Sequence, residues 1–225
     1  MLIYGKQPIY YYLERHPQKI KTLYLAKDVD KKEYSRLMKM GFEVKRIPQD
    51  AAQKMSKNSN HQGFLADIDE ISTVELYELD KADFILILNG ITDVGNIGGI
   101  VRSAYAFGVD AIVVCGLKQL ALEPIIRSST GVLVDIPLVL YHNIYDLMHE
   151  VKQAGITIYG ADMSGEDIRD VTISGRRALL LGSESDGIPS RALAKLDKTV
   201  KIEMMHDFDS LNVSVAGAIL MDRMR

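Results

Sequence analysis

From Phe84 onward the chain repeats one pattern, a short and mainly apolar run, a turn that carries glycine, and a helical stretch. The runs cover residues 84–88, 111–115, 137–140, 156–159, 178–181 and 200–202. Strands without polar alternation are buried on both faces, as in a parallel sheet covered by helices. The pattern predicts an α/β domain with six parallel strands. No internal repeat or low-complexity segment competes with this reading.

The residues before it differ in charge and rhythm. Residues 1–68 read as a smaller α/β unit, with helices over 9–15 and 31–40, a helix opening at Pro48, and strands over 22–26, 42–47 and 64–68. An acidic stretch with Glu70, Glu75, Glu78, Asp80 and Asp83 follows. Residues 69–83 are therefore expected to link a domain over 1–68 to one over 84–225. The overall net charge of -3 hides an asymmetry. Residues 1–60 hold 13 Lys and Arg against 6 Asp and Glu, a net of +7, while the rest hold 14 against 24, a net of -10. A basic module of this kind neutralises phosphates and suits a nucleic acid, although a solvated basic face has the same composition. The run Tyr10-Tyr11-Tyr12 spans too much of a helical turn to share one face. Some rings must be exposed, and packing against Ile9 and Leu13 is favoured over stacking on bases.

One cysteine, Cys115, lies in an apolar strand and reads as a small buried hydrophobe, so neither a disulfide nor a zinc cluster is expected and no metal is assigned. No apolar stretch reaches the roughly 18 residues of a membrane span, and the first residues lack a secretory pattern. A reducing, cytoplasmic setting without a membrane partner is the expectation.

Ligands of open parallel sheets gather where strands end and helices begin. Two such turns and one helix entrance stand out. The first turn, Asn89-Gly-Ile-Thr-Asp-Val-Gly-Asn96-Ile-Gly-Gly-Ile-Val-Arg102, lacks both the dinucleotide spacing and the Lys-Ser/Thr pair of a phosphate loop. Asn96 reads as a candidate helix cap, with Arg102 on the first turns of that helix offering a fixed fork to a phosphate. The second, Gly182-Ser-Glu184-Ser-Asp-Gly187, follows a buried strand and frames one carboxylate with glycines. The third runs from Val200 through Ile202, Glu203 and Met204 to Ser210-Leu211-Asn212-Val-Ser214. It ends in a helix of small and aliphatic residues, polar only at its entrance, for which Ser210 reads as the N-cap. Read singly, each has an ordinary structural explanation: a capped helix with a solvated arginine, a turn with a solvated glutamate, and a core helix.

Taken together and in this order, the three segments resemble the motifs of the SpoU (TrmH) family of RNA 2'-O-methyltransferases, within the SPOUT superfamily. Asn96 and Arg102 match the first motif. Gly182, Glu184 and Gly187 match the second, and Ile202, Met204, Ser210, Leu211, Asn212 and Ser214 the third. Ile3-Tyr-Gly5 and His61-Gln-Gly63 look like the borders of the ribosomal-protein-like RNA-binding domain that precedes the catalytic domain in ribosomal-RNA members. Two family prolines are replaced, by Val94 and Glu203, which frees φ and adds an N–H at each place. Glu203 also sets a carboxylate beside the cofactor loop.

The resemblance implies S-adenosylmethionine as cofactor, held in a deep trefoil knot by Gly182, Ile202 and Leu211 largely through backbone groups. It implies a homodimer whose sites are built across the interface. Arg102, Asn96, Glu184, Ser210 and Asn212 become the catalytic candidates. A guanidinium normally keeps its proton. Either Arg102 is strongly perturbed and takes the proton of the ribose hydroxyl, or it clamps the RNA phosphate while Ser210 or a water relays that proton. Glu184 and Asn212 would orient loop and substrate, and Asn96 would hold the helix of Arg102. The N-terminal module points to a guanosine of 23S rRNA as substrate. The alternatives are a tRNA or antibiotic-resistance rRNA ribose methyltransferase and a non-catalytic RNA-binding protein of this fold.

Overall fold

The computed structural model describes residues 1–206 and 210–225. Packing groups them into two units, Met1–Ile71 with Ala121–Val134, and Ser72–Leu120 with Asp135–Arg225.

The first unit runs β1 (Leu2–Tyr4), α1 (Lys6–Arg15), β2 (Ile20–Leu25), α2 (Lys31–Leu37), β3 (Glu43–Arg46), α3 (Gln49–Met55) and β4 (Phe64–Ile68). Its sheet has the order β1-β4-β2-β3, with β4 antiparallel to both neighbours and β2 parallel to β3. The expected helices and strands are present, and β1 is an addition, too short at three residues to show an alternation. Gly5, at φ 109, turns the chain from β1 into α1 and donates its N–H to the Phe64 carbonyl at 3.0 Å. Tyr12 is fully buried, whereas Tyr10 meets the Phe64 ring edge-on with centroids 5.4 Å apart. Burial and a hydroxyl hydrogen bond to Glu33 push the Tyr10 phenol up to about 12. Packing thus accounts for these two rings.

The second unit begins before β5 (Phe84–Asn89). Within the acidic stretch, Val74 donates its N–H to the Leu138 carbonyl at 2.9 Å, and Leu79 and Ala82 are buried in a core cluster of this unit. Arg176 holds the stretch through Nη2 to the Asp80 carbonyl at 2.7 Å and Nε to the Ala82 carbonyl at 3.0 Å. The stretch thus uses its few apolar residues to pack. Next come α4 (Val94–Ala106) and β6 (Ala111–Cys115). The following helix, α5 (Leu122–Ser128), belongs to the first unit, where the Arg127 guanidinium covers the Tyr4 ring at 5.0 Å and donates to its hydroxyl at 2.9 Å.

Then follow β7 (Leu138–Tyr141), α6 (Ile144–Gln153), β8 (Thr157–Asp167), β9 (Arg177–Leu181), α7 (Ser190–Leu193), β10 (Lys198–Lys201) and α8 (Val213–Met224). The six strands form one sheet in the order β10-β8-β9-β5-β6-β7, every pair parallel, as the apolar runs predict. One set of alternating residues, including Ile85, Ile87, Val113 and Leu180, packs with Leu147, Met148 and Val151 of α6. On the other side α4 packs on α8. Gly217 brings α8 onto β9, because a Cβ there would lie 2.8 Å from Leu181 Cδ1. Cys115 is buried in this core, and desolvation pushes its thiol up to about 11, so it packs and does not react.

The chain therefore steps from β8 inward to β9, outward again to β10 beyond β8, and back through α8 to the side of β9. This route carries the three matched segments toward the same ends of β5, β9 and β10.

Candidate active site

β9 ends at Leu181 and the chain turns at once through Gly182. A Cβ on Gly182 would lie 2.1 Å from the carbonyl carbon of Gly187 and 2.5 Å from the Ile188 nitrogen, so only glycine allows this loop to close on itself. Closure is secured by the Gly187 N–H, which donates to the Ser183 carbonyl at 2.9 Å. Gly187 takes φ 63 to complete the turn. Glu184 is thereby held out from the loop as an exposed carboxylate.

The other two segments supply helix entrances, and both caps differ from the sequence expectation. Asp93, not Asn96, caps α4, accepting the Asn96 N–H at 2.7 Å. Asn212, not Ser210, caps α8, accepting the Ser214 N–H at 3.0 Å and the Ser214 hydroxyl at 2.5 Å through Oδ1. Asp, Asn and Ser all cap well, so composition alone does not choose among neighbouring candidates. The consequence is chemical. With Asp93 on the backbone, the Asn96 side chain is available for a longer reach.

That reach joins all three segments. Asn96 Nδ2 donates to Glu184 Oε1 at 3.1 Å across 88 residues of sequence, and Asn212 Nδ2 donates to the same oxygen at 2.8 Å. Asn212 Nδ2 also donates to Asn96 Oδ1 at 3.0 Å, across 116 residues. Because the Asn212 oxygen is engaged by its own helix, its amide nitrogen must face the other two side chains. Both amides are thus fixed in orientation, and Glu184 is held by two donors on one oxygen.

Beside this network lies a cavity of about 300 Å³. Gly182, Ile202 and Leu211, the three expected cofactor residues, all line it, with Glu184, Ser210 and Asn212 of the expected catalytic set. Asn96 touches the cavity only through Glu184 and Asn212. Arg102 does not line it; it is exposed on α4 and makes no hydrogen bond or ion pair among the described residues. Gly99, three residues before it, packs α4 on α8, where an added Cβ would meet Ser214 Cβ at 3.4 Å. Glu203 turns to Lys201 at 2.9 Å and is not part of the cavity wall. Ser210 is exposed at the cavity mouth, and residues 207–209 of the third segment lie outside the described residues.

The sequence reading missed Asp162 and Met163, which also line the cavity. They sit on the second half of β8, whose polar sequence hid the strand. The available signal was Gly165, where a Cβ would lie 2.5 Å from the Thr199 carbonyl carbon, so that β8 can run close against β10.

Residues 83–222 match the model of the SpoU rRNA methylase family, and residues 2–74 match that of the RNA 2'-O ribose methyltransferase substrate-binding domain. The chain belongs to the SpoU rRNA methylase family. Among similar proteins, the 23S rRNA (guanosine-2'-O-)-methyltransferase RlmB of Neisseria meningitidis is 30% identical over 234 residues, covering 99% of this chain and 94% of its own. RlmB of Pseudomonas putida is 29% identical over 237 residues, covering 99% and 95%. The SpoU methyltransferase AviRb from Streptomyces viridochromogenes, solved in complex with the cofactor AdoMet, superposes with a TM-score of 0.80 at 26% identity, covering 100% of this chain and 88% of that one. An AdoMet-bound rRNA methyltransferase from Sinorhizobium meliloti gives 0.82 at 22% identity, covering 100% and 86%, and shows the shared fold. The parallel-sheet domain is the α/β-knot domain of this SpoU chain, preceded by its substrate-binding domain.

Proposed function

We propose that this SpoU chain uses S-adenosylmethionine to methylate the ribose 2'-hydroxyl of a guanosine in 23S rRNA, in the cytoplasm. The observation that carries the reading is the Asn96–Glu184–Asn212 network, which gathers all three matched segments at the mouth of one cavity. The wall suits the cofactor. It combines apolar surface from Leu181, Ile202, Leu211 and Leu220 with the carboxylates of Asp162 and Glu184, for a ligand that carries an aromatic base, hydroxyls and positive charge. At Gly182 backbone replaces side chain, which lets a ligand approach the main chain. When bound, the cofactor supplies an electrophilic methyl group. The chain's own residues then hold and orient: Gly182, Ile202 and Leu211 grip the cofactor, while Glu184, Asn96 and Asn212 fix the loop and the two helix entrances. Positioning of this kind supplies much of the rate in a displacement. Arg102 acts on the RNA side, either taking the hydroxyl proton or clamping the phosphate while Ser210 or a water relays it. The basic residues of 1–68 hold the RNA substrate through its phosphates.

The test is methyl transfer from labelled cofactor to total ribosomal and transfer RNA, followed by mapping of the modified nucleotide. Label on a guanosine ribose of the large-subunit RNA is the expected result. Label confined to transfer RNA would select the alternative supported by the resemblance to the putative TrmH family tRNA/rRNA methyltransferase YacO of Bacillus subtilis, 30% identical over 217 residues. No transfer to either RNA would leave a binding protein.

The reading includes a homodimer. Val215 and Ile219 lie one turn apart on α8 and are exposed, as are Met163 and Met205. Exposed apolar side chains on successive turns of one helix call for a covering surface, and a second copy supplies one. Sedimentation at micromolar concentration should give the mass of two chains for the native protein and of one chain for Ile219→Glu. A monomeric native protein would rule the dimer out.

A further inference from the structure

The first unit contains a second cavity, of about 410 Å³, between the end of α3 and the loop that precedes β4. Its wall is made of carboxamides, with Gln49, Gln53, Asn58 and Asn60 beside Lys27 and Gln62, and no carboxylate lines it among the described residues. The rim is pre-set. Lys57, Asn58 and Gln62 all take left-handed backbone conformations, at φ 51, 61 and 53, although none is glycine. Buried Ser56 holds the loop by donating to the carbonyls of Gln53 at 3.2 Å and Ser59 at 3.1 Å, and Gln62 accepts the Lys6 N–H at 2.9 Å.

His61 fixes the hydrogen-bonding sense of this wall. Its ring is 2% exposed, and its Nδ1 accepts the Gly63 N–H at 3.0 Å. The neutral ring therefore carries its hydrogen on Nε2, which stands 3.4 Å from Gln49 Nε2. Two N–H donors do not bond, so pairing with the ring requires the Gln49 carboxamide to turn over, oxygen toward His61 and NH2 group away from it. Gln53, one helical turn further on α3, makes no side-chain hydrogen bond among the described residues and keeps both its donor and its acceptor. Two carboxamides a turn apart, with an ammonium beside them, match the edge of a nucleobase and the phosphate attached to it.

We propose that this cavity binds one unpaired nucleotide of the RNA substrate, with Gln49 and Gln53 reading the base edge and Lys27 neutralising its phosphate. The inference rests on the RNA reading of this unit and adds to it a site that recognises single strands. A paired base hides its edges in a helix, and sequence-dependent RNA recognition is directed at unpaired bases.

The test uses the full chain, fluorescently labelled short oligoadenylate, oligocytidylate and oligouridylate, and a duplex RNA of equal length, with anisotropy read at several salt concentrations. The native protein should bind at least one single strand more tightly than the duplex. Gln53→Met, which keeps the volume and removes the amide, should weaken that strand about tenfold, the scale of a lost bidentate base contact, with duplex affinity, salt slope and melting temperature unchanged. Lys27→Met should lower the salt slope by about one charge. Native affinity of Gln53→Met for every single strand, or an equal loss on the duplex, would overturn the proposal. So would a native protein that prefers no single strand. Methylation of ribosomal RNA by the same preparation decides separately whether the RNA reading itself stands.

Discussion

Arg102→Ala is expected to reduce methyl transfer by about 10²–10⁴-fold, the range contributed by a positioned proton-transfer group, while calorimetry finds S-adenosylmethionine binding nearly unchanged. The separation follows from geometry. Arg102 does not line the cofactor cavity, and among the described residues it has no carboxylate partner. It leaves α4 one turn beyond Gly99, the point where that helix packs on α8. Its removal therefore opens no core and breaks no cap. Loss of cofactor binding together with activity would overturn the assignment, because it would place Arg102 in the structure of the pocket.

Arg102→Lys distinguishes its two candidate roles. A phosphate clamp needs charge and the planar fork, so lysine should keep part of the RNA affinity and raise KM with little change in the pH profile. A proton acceptor behaves otherwise. An ammonium loses its proton more readily than a guanidinium, so the lysine variant should gain activity as pH rises through a single inflection.

What the sequence makes legible follows from how each feature is encoded. The inner parallel strands were readable because burial on both faces leaves uninterrupted apolar runs such as Ala111–Cys115, whereas the edge strand β10, Lys-Thr-Val-Lys, was placed mainly through its buried Val200. The second half of β8 was not, because it extends beyond β9 and meets β10 again only at Glu166 and Asp167 after a register shift, which leaves Ala161-Asp-Met-Ser-Gly free to be polar. Helix entrances were found to within two or three residues, but the capping residue was missed at both Asp93 and Asn212, since the decision lies in backbone geometry. The return of α5 to the first unit rests on long-range packing against β1 and α1, including Arg127 with Tyr4, which no local pattern records. The site was legible for a different reason. Asn96, Glu184 and Asn212 are unremarkable singly, and only their joint order pointed to a common chemistry that the hydrogen bonds bring together.

Gly182→Ala should be the most damaging single methyl group in the catalytic unit. Its Cβ would meet main-chain atoms of Gly187 and Ile188 at 2.1–2.5 Å, and main chain cannot rotate away as a side-chain tip can. The loop must then open, which pulls Ser183 from Gly187 and withdraws Glu184 from Asn96 and Asn212. Overpacking costs about 1–3 kcal/mol where neighbours can adjust. Here they cannot without dismantling the cavity wall, so cofactor affinity should fall by about a hundredfold or more at roughly 1.4 kcal/mol per factor of ten. Gly187→Ala is the matched control. At φ 63 it strains the backbone by about 1–2 kcal/mol, but its Cβ enters open space and leaves Glu184 in place. Calorimetric titration of both variants should therefore rank Gly182→Ala well below Gly187→Ala in S-adenosylmethionine affinity, with smaller differences in melting temperature, because the strands beneath the loop keep their packing. Native-like binding by Gly182→Ala would show that the closed loop is not what holds the cofactor.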